Sequence, residues 1–416
     1  MRARTEGARS DRSGSTRRQF LLGGAVAGVG AVAAIGVDYA LNRQDAEATT
    51  PSVPMNGEET VPFFGPHQAG IDTAAQAHGV FLALDLLDTT DREGLTRLLR
   101  ILTDDAARLT QGTAALADSE PELALAPARL TVTFGFGPRL VARAAATAPS
   151  WLAPLPAFSI DQLQPEFSDG DLLLQIAADD PLTVAHAARM LLKDARSFAT
   201  LRWSQQGFRR AYGTERPGTT MRNLFGQVDG TANPQPGTSE FDSVVWASDG
   251  WLAGGTGVVV RRIRMDLDKW DRLDRSGREA SVGRTMATGA PLTGSKEFDE
   301  PDFDATSAVG FPVIPQFAHI RRARGDDGEK IFRRAYNYDE RPGAASVSES
   351  GLIFVSFQAD IDRQFTPMQQ RLADLDLLNE WTTPIGSAVF AIPPGCAVGG
   401  FIGETLLDET SRGGAS

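Results

Sequence analysis

Hydrophobic periodicity divides the chain beyond residue 60 into two stretches that share one grammar. In the first, residues 79–87 read as a strand, and residues 91–109 repeat apolar positions at three- and four-residue spacing, as an amphipathic helix does. Residues 130–136 and 171–177 are further apolar strands, and Pro181 opens a helix that runs to Leu192. In the second stretch, residues 257–267 and 351–359 read as strands, and the latter leads through acidic residues into a helix over 366–375. This echo predicts duplication of a β-α-β type unit and an α+β architecture with antiparallel sheets.

The first 60 residues follow a different pattern. Residues 49–60 are rich in Thr, Pro, Asn and Glu without periodicity, which predicts an exposed tether. Ahead of them, Ser15-Thr-Arg17-Arg18-Gln-Phe20-Leu precedes a Gly/Ala-rich apolar run over residues 21–37. That run is marginal for a membrane span and its glycines disfavour a stable helix, so residues 1–48 read as a twin-arginine export signal, with Ala46-Glu47-Ala48 as a small-x-small cleavage site. Without those residues the chain carries 34 basic and 48 acidic side chains, a formal net charge of −14. An acidic surface of this size argues against a nucleic-acid partner, and the length suits two domains with a large core.

Candidate chemistry concentrates in the second stretch. Gly226-Gln-Val-Asp-Gly-Thr-Ala-Asn-Pro234 embeds Asp229 between glycines and behind Phe225. Glycines let backbone approach a flat ligand, and a carboxylate against an apolar wall can serve as a general acid or base; an ordinary Asp-Gly turn is the alternative. The chain has four histidines (67, 78, 186 and 319) and one cysteine, Cys396. No two histidines have metal-ligand spacing and a Cys/His zinc site is unavailable, whereas a haem asks the protein for one axial histidine. Cys396 excludes an intramolecular disulfide and reads as a small buried residue.

These residues together resemble the dye-decolourising peroxidases. Gly226-Gln-Val-Asp-Gly230 matches the family's G-x-x-D-G signature, His319 in Phe-Ala-His-Ile-Arg-Arg falls at its proximal haem ligand, and Arg333 falls at its distal arginine. With Pro62-Phe-Phe-Gly-Pro-His-Gln-Ala-Gly-Ile71, the resemblance extends to the exported, deferrochelatase-type branch and covers nearly the whole chain after residue 48. It implies two ferredoxin-like domains forming a barrel-like core, at residues 61–222 and 223–411, and one haem b per chain held mainly by the second. It implies His319 as iron ligand and Asp229 and Arg333 as the distal catalytic pair. Gly230, Thr231, Ala232, Arg321, Arg324 and Gly325 would contact the haem edge, although a solvated charged face is an equal reading of the two arginines. Arg334 would be a structural or propionate partner, and Ala335 stands where some members carry an asparagine.

The implied activity is reduction of hydrogen peroxide with oxidation of phenolic or dye-like donors. Two alternatives stay open: iron release from haem with the porphyrin intact, beside an iron-uptake permease, and haem binding or transfer without catalysis. Implied partners are hydrogen peroxide, a small aromatic reductant and the twin-arginine export machinery, and the chain is compatible with a homo-oligomer. Trp203, Trp246, Trp251, Trp270, Trp381, Tyr336 and Tyr338 could relay electrons to bulky donors, but the sequence singles out none of them.

Overall fold

The computed structural model describes residues 55–325, 329–343 and 348–413; the predicted export signal and the first half of the predicted tether lie outside the described residues. Residues 55–416 form one compact unit. Its first half runs β1 (His78–Leu86), α1 (Arg92–Thr110), β2 (Thr131–Phe136), β3 (Leu172–Ala178), α2 (Pro181–Ala195) and β4 (Ala199–Phe208). The second half runs β5 (Thr256–Met265), α3 (His319–Ala323), β6 (Phe332–Arg333), β7 (Tyr336–Glu340), β8 (Glu349–Gln358), α4 (Ile361–Leu375) and β9 (Thr382–Ile392).

Within the first half the strands lie in the order β2-β3-β1-β4, and within the second β7-β8-β5-β9, all antiparallel. Both are the ferredoxin-like arrangement, so the predicted duplication is a duplication of topology. The two sheets join at Phe136 opposite Ala391 and at Phe208 opposite Asn337, which closes eight strands into a barrel. Closure removes sheet edges that would otherwise expose unpaired backbone groups.

Strand alternation sorts the apolar residues into an inner and an outer core. Phe81, Ala83, Val258, Val260, Ile353, Val355, Phe357 and Phe390 fill the barrel. From the opposite face of the first sheet, Val80, Leu82 and Leu84 meet Leu95, Leu98, Leu102 and Leu191 of the covering helices. A strand buried on both faces reads as a continuous apolar run, which is why β1 and β3 were legible. The carboxylates of Asp91 and Asp180 cap α1 and α2, accepting from Gly94 N and Thr183 N at 2.7 and 2.9 Å.

The structure corrects three expectations. Helix α4 starts at Ile361, earlier than residue 366, because the Asp360 carboxylate accepts from Arg363 N at 3.0 Å and caps it there; Pro367 sits inside the helix. The end of the predicted tether is bonded to the body, with the carbonyls of Gly57 and Glu59 accepting from Ala128 N and Arg129 N. Strands β4, β7 and β9, absent from the periodicity reading, complete both sheets. In β4, buried Trp203, Gln205 and Gly207 alternate with exposed or half-exposed polar residues, and β9 carries Pro384 near its start, so neither presents an uninterrupted apolar run. Cys396 is buried, and burial pushes its thiol up to about 11, as befits a packing residue. Among the described residues no helix is long and apolar enough to cross a membrane.

One charge pair in the helix layer makes stability depend on pH. Asp194 of α2 has a buried Oδ2 without a hydrogen-bond partner, and Asp105 of α1, 2% exposed, accepts from Leu116 N. Burial first, and then the hydrogen bond and charge of Asp105, raise the Asp194 carboxyl to about 7. A raised carboxyl binds its proton more tightly folded than unfolded, so this stabilisation is complete below the unfolded value of 3.8 and is lost as pH rises towards about 7. Thermal melts should therefore show Asp194→Asn raising the melting temperature more at pH 8 than at pH 4.5; an equal change at both would refute the shared proton.

Candidate haem site

Asp229, the expected distal acid, sits at the end of a tight hairpin. Arg222 pairs with Val228, Asn223 N bonds Gln227 O, Asp229 N bonds Met221 O at 2.8 Å, and Gly226 turns the chain at φ +79°. The Asn223 side chain braces the turn from inside, its Oδ1 accepting from Phe225 N and Gln227 N and its Nδ2 lying 3.4 Å from Asp229 Oδ2. Gly230 follows at φ +129°, a conformation that strains any residue with a Cβ. Thr231 Oγ1 and Thr220 Oγ1 both donate to Glu297 Oε1, at 3.0 and 2.6 Å, and Ala232 lies exposed beyond them.

Arg333 reaches this hairpin from β6, which pairs with β8 at Ser356. Its Nη1 donates to Asp229 Oδ1 at 2.9 Å, with the two side chains 24% and 11% exposed. Asn233 fixes the arginine's backbone on both sides, donating to Arg333 O at 2.7 Å and accepting from Arg333 N at 3.0 Å. A two-point amide clamp of this kind sets the position of the guanidinium before any ligand arrives.

His319 is the first residue of α3. Its Nδ1 lies 2.6 Å from Oδ2 of Asp376, which is itself buried at the end of α4 and accepts from Leu378 N through Oδ1. Burial would lower the imidazole's proton affinity, but the Asp376 charge and hydrogen bond outweigh it and hold the pKa above the ordinary histidine value. Arg333 and Asp229 are both within electrostatic reach of the same ring, so the three predicted residues converge although 104 positions separate Asp229 from Arg333. Nε2 has no hydrogen-bond partner among the described residues. The other histidines are placed elsewhere: His67 stacks on Trp246 at 3.8 Å, His186 of α2 pairs with Asp118 of the loop after α1, and His78 begins β1.

The predicted edge arginines are engaged with protein. Arg321 donates to the carbonyls of Phe303 and Ile314, Arg324 pairs with Glu300, and Gly325 packs where an added Cβ would strike the Glu329–Arg371 ion pair. Arg334 is 2% exposed and bonds Thr73 O, Ala74 O and Gln76 Oε1, tying the amino-terminal segment to the second half. Sequence reasoning missed Asp376, Asn233, Asn223 and Glu297. Asp376 and Glu297 are common polar residues outside the motifs that only long-range folding gives a role, whereas Asn233 stands within Gly226–Pro234 and Asn223 just ahead of it, without a signal that marks either.

Comparison with known proteins bears directly on this arrangement. Residues 68–209 match the family model for the Dyp-type peroxidase N-terminal domain, and residues 220–397 match the C-terminal one. A dye-decolorizing peroxidase of Thermobifida fusca is 37% identical over 96% of this chain and 99% of its own length, and a deferrochelatase of Escherichia coli O157:H7 is 34% identical over 94% and 97%. The chain belongs to the Dyp-type peroxidase family. It is a haem peroxidase. Among solved structures, a DyP-type peroxidase from Cellulomonas bogoriensis superposes with a TM-score of 0.83 at 54% identity, covering 85% of this chain and all of that one. The oxyferrous DtpA of Streptomyces lividans gives 0.82 at 41% identity, with coverage of 85% and 100%.

The described residues of this Dyp-type peroxidase fit a haem. The donor set is one imidazole whose Nδ1 is committed to a carboxylate, which orients the ring and raises its basicity as an iron ligand. An apolar cluster runs from Met221 and Phe225 of the distal hairpin through Leu352 to Leu378, beside Asp376, with Phe354 packed against it. On the same outer face of β8 the Ser356 hydroxyl is buried without a partner. Haem titration of the apoprotein should show Asp376→Asn weakening haem affinity by about 10- to 100-fold; unchanged affinity and an unchanged haem spectrum would remove Asp376 from the ligand's support.

Proposed function

We propose that this haem peroxidase reduces hydrogen peroxide at Asp229 and Arg333, with His319 as the proximal iron ligand, and oxidises small phenolic or dye-like aromatic donors. The observation that carries the proposal is the ion pair of Asp229 and Arg333, whose charges both act on a histidine that, among the described residues, is engaged only through Nδ1. Bound haem supplies the iron centre that takes oxidising equivalents from peroxide and passes them to the donor. The side chains handle protons and charge. The Asp229 carboxylate takes the proton from one peroxide oxygen and returns it to the departing one, so that water leaves. The Arg333 guanidinium stabilises the negative charge that builds on that oxygen, and its bond to Asp229 holds the acceptor oxygen in place. Asp376 keeps the Nδ1 proton on its own side of His319, which leaves the Nε2 lone pair for iron.

Stopped-flow mixing of the haem-loaded protein with hydrogen peroxide should show Asp229→Ala and Arg333→Ala slowing the reaction by roughly 10²- to 10⁴-fold with the haem retained. Wild-type rates in both variants would leave the pair without a catalytic role. The similarity to deferrochelatases across most of the chain supports iron release as a second reading. Fluorescence of metal-free protoporphyrin, rising when haem is incubated with the protein and a reductant, would support it; its absence would leave the peroxidase reading alone.

We also place this activity outside the cytoplasm, on the strength of Arg17-Arg18 and the weakly apolar segment after them. Replacing both arginines with lysine should leave the protein in the cytoplasm in a cell-fractionation experiment, and undiminished export would refute the assignment. Export beside an iron-uptake permease is the setting that the iron-release reading requires.

A further inference from the structure

Beside the Asp229–Arg333 pair lies a cavity of about 210 Å³. Its charged lining is three arginines, Arg209, Arg333 and Arg334, against two aspartates, Asp72 and Asp229. The three arginines are not equivalent. Arg333 is committed to Asp229, and Arg334 to Thr73, Ala74 and Gln76. Arg209, directly after β4, uses only Nε, which donates to Ala335 O at 2.8 Å, while its guanidinium carbon lies 5.1 Å from the Tyr336 ring centroid. Among the described residues nothing accepts from its two terminal nitrogens.

An arginine held in this way has a planar, two-nitrogen donor edge at a fixed position, a geometry that matches a carboxylate. Burial pushes the Arg209 guanidinium down to about 10, so it stays charged at neutral pH while lacking the full solvation that would offset the charge. On a chain with a formal net charge of −12, this is a local excess of one positive charge. The volume falls below the roughly 300–1,000 Å³ of pockets for drug-sized ligands, which limits the occupant to a small one.

We propose that this cavity is a binding site for a small carboxylate, such as an aromatic acid, with the terminal nitrogens of Arg209 donating to its two oxygens. The site selects by charge, since a neutral amide of the same shape offers the fork one acceptor and no charge. Its occupant stands beside Asp229 and Arg333, which line the same cavity. A bound carboxylate therefore competes with hydrogen peroxide. This goes beyond the peroxidase reading, and binding can be measured without turnover.

Isothermal titration of the haem-loaded protein with benzoate and with benzamide tests it. The expected result is saturable binding of benzoate at one site, at least ten-fold weaker binding of benzamide, and at least ten-fold weaker benzoate binding by Arg209→Gln, with Arg209→Lys in between. In steady-state assays benzoate should raise the apparent KM for hydrogen peroxide without changing kcat, and Arg209→Gln should remove that effect. Equal binding of benzoate and benzamide to the wild type, or none of either, would overturn the proposal without recourse to any variant. So would benzoate binding that is unchanged in a folded Arg209→Gln protein. Intact benzoate binding without any peroxide turnover would instead count against the peroxidase reading, and turnover that bound benzoate leaves unchanged would overturn its competition with hydrogen peroxide.

Discussion

The closure of two antiparallel sheets into one barrel is the constraint on which the rest of the structure depends. Each half has a buried inner face that a single four-stranded sheet cannot cover, and the two faces satisfy each other only when the strands meet at both seams. The seam between β4 and β7 does more than hold the barrel shut. Arg209 leaves the end of β4 to bond Ala335, while Arg334, two residues before β7, crosses back to the segment at Thr73 to Gln76. The residue before Arg334 is Arg333, so the distal arginine is positioned by the same stretch of chain that joins the halves.

The site shows a division of labour between residues that perform chemistry and residues that restrict geometry. Asp229, Arg333 and His319 each have a partner that removes a degree of freedom: Asn223 beside the aspartate, Asn233 on the arginine's backbone, and Asp376 on the imidazole. Holding charged groups in place before the ligand arrives avoids reorganisation during the reaction, the main source of electrostatic catalysis. The proximal and distal elements are themselves linked by the apolar cluster that runs from Phe225 through Leu352 to Leu378, with Trp270 stacked on Phe225 at 4.4 Å and packed edge-on against Trp381 at 5.2 Å. The two tryptophans thus join the distal hairpin to the segment after Asp376 as packing residues.

The amino-terminal half contributes stability and a boundary rather than a ligand to iron. Its helices α1 and α2 cover the outer face of the first sheet, and its buried charges, Asp105 with Asp194 and Asp118 with His186, lie in that layer. Yet Arg209 and Asp72 from this half line the cavity beside the distal pair. The candidate site residues Asp229, Arg333 and His319 therefore come from the second half, while both halves line the cavity beside Asp229 and Arg333.

Sequence by itself determined those features whose physics is local. Continuous apolar runs located β1, β2 and β3, and a period of 3.6 located α1 and α2, to within a few residues, because burial of both strand faces or of one helix face imposes its pattern on the chain. The glycines around Asp229 marked a backbone that turns through positive φ, and the scarcity of histidine and cysteine narrowed the metal chemistry to a single axial ligand. Tertiary structure decided what depends on long-range pairing. Strands β4, β7 and β9, with polar alternation, short length or an early proline, are strands because neighbouring strands complete their hydrogen bonds. Whether Arg321 faces a ligand or a carbonyl, whether Asp376 or another acid orients His319, and which arginine keeps a free edge were settled by distances between residues far apart in the chain. No local pattern records such distances, because they follow from the closure of the barrel.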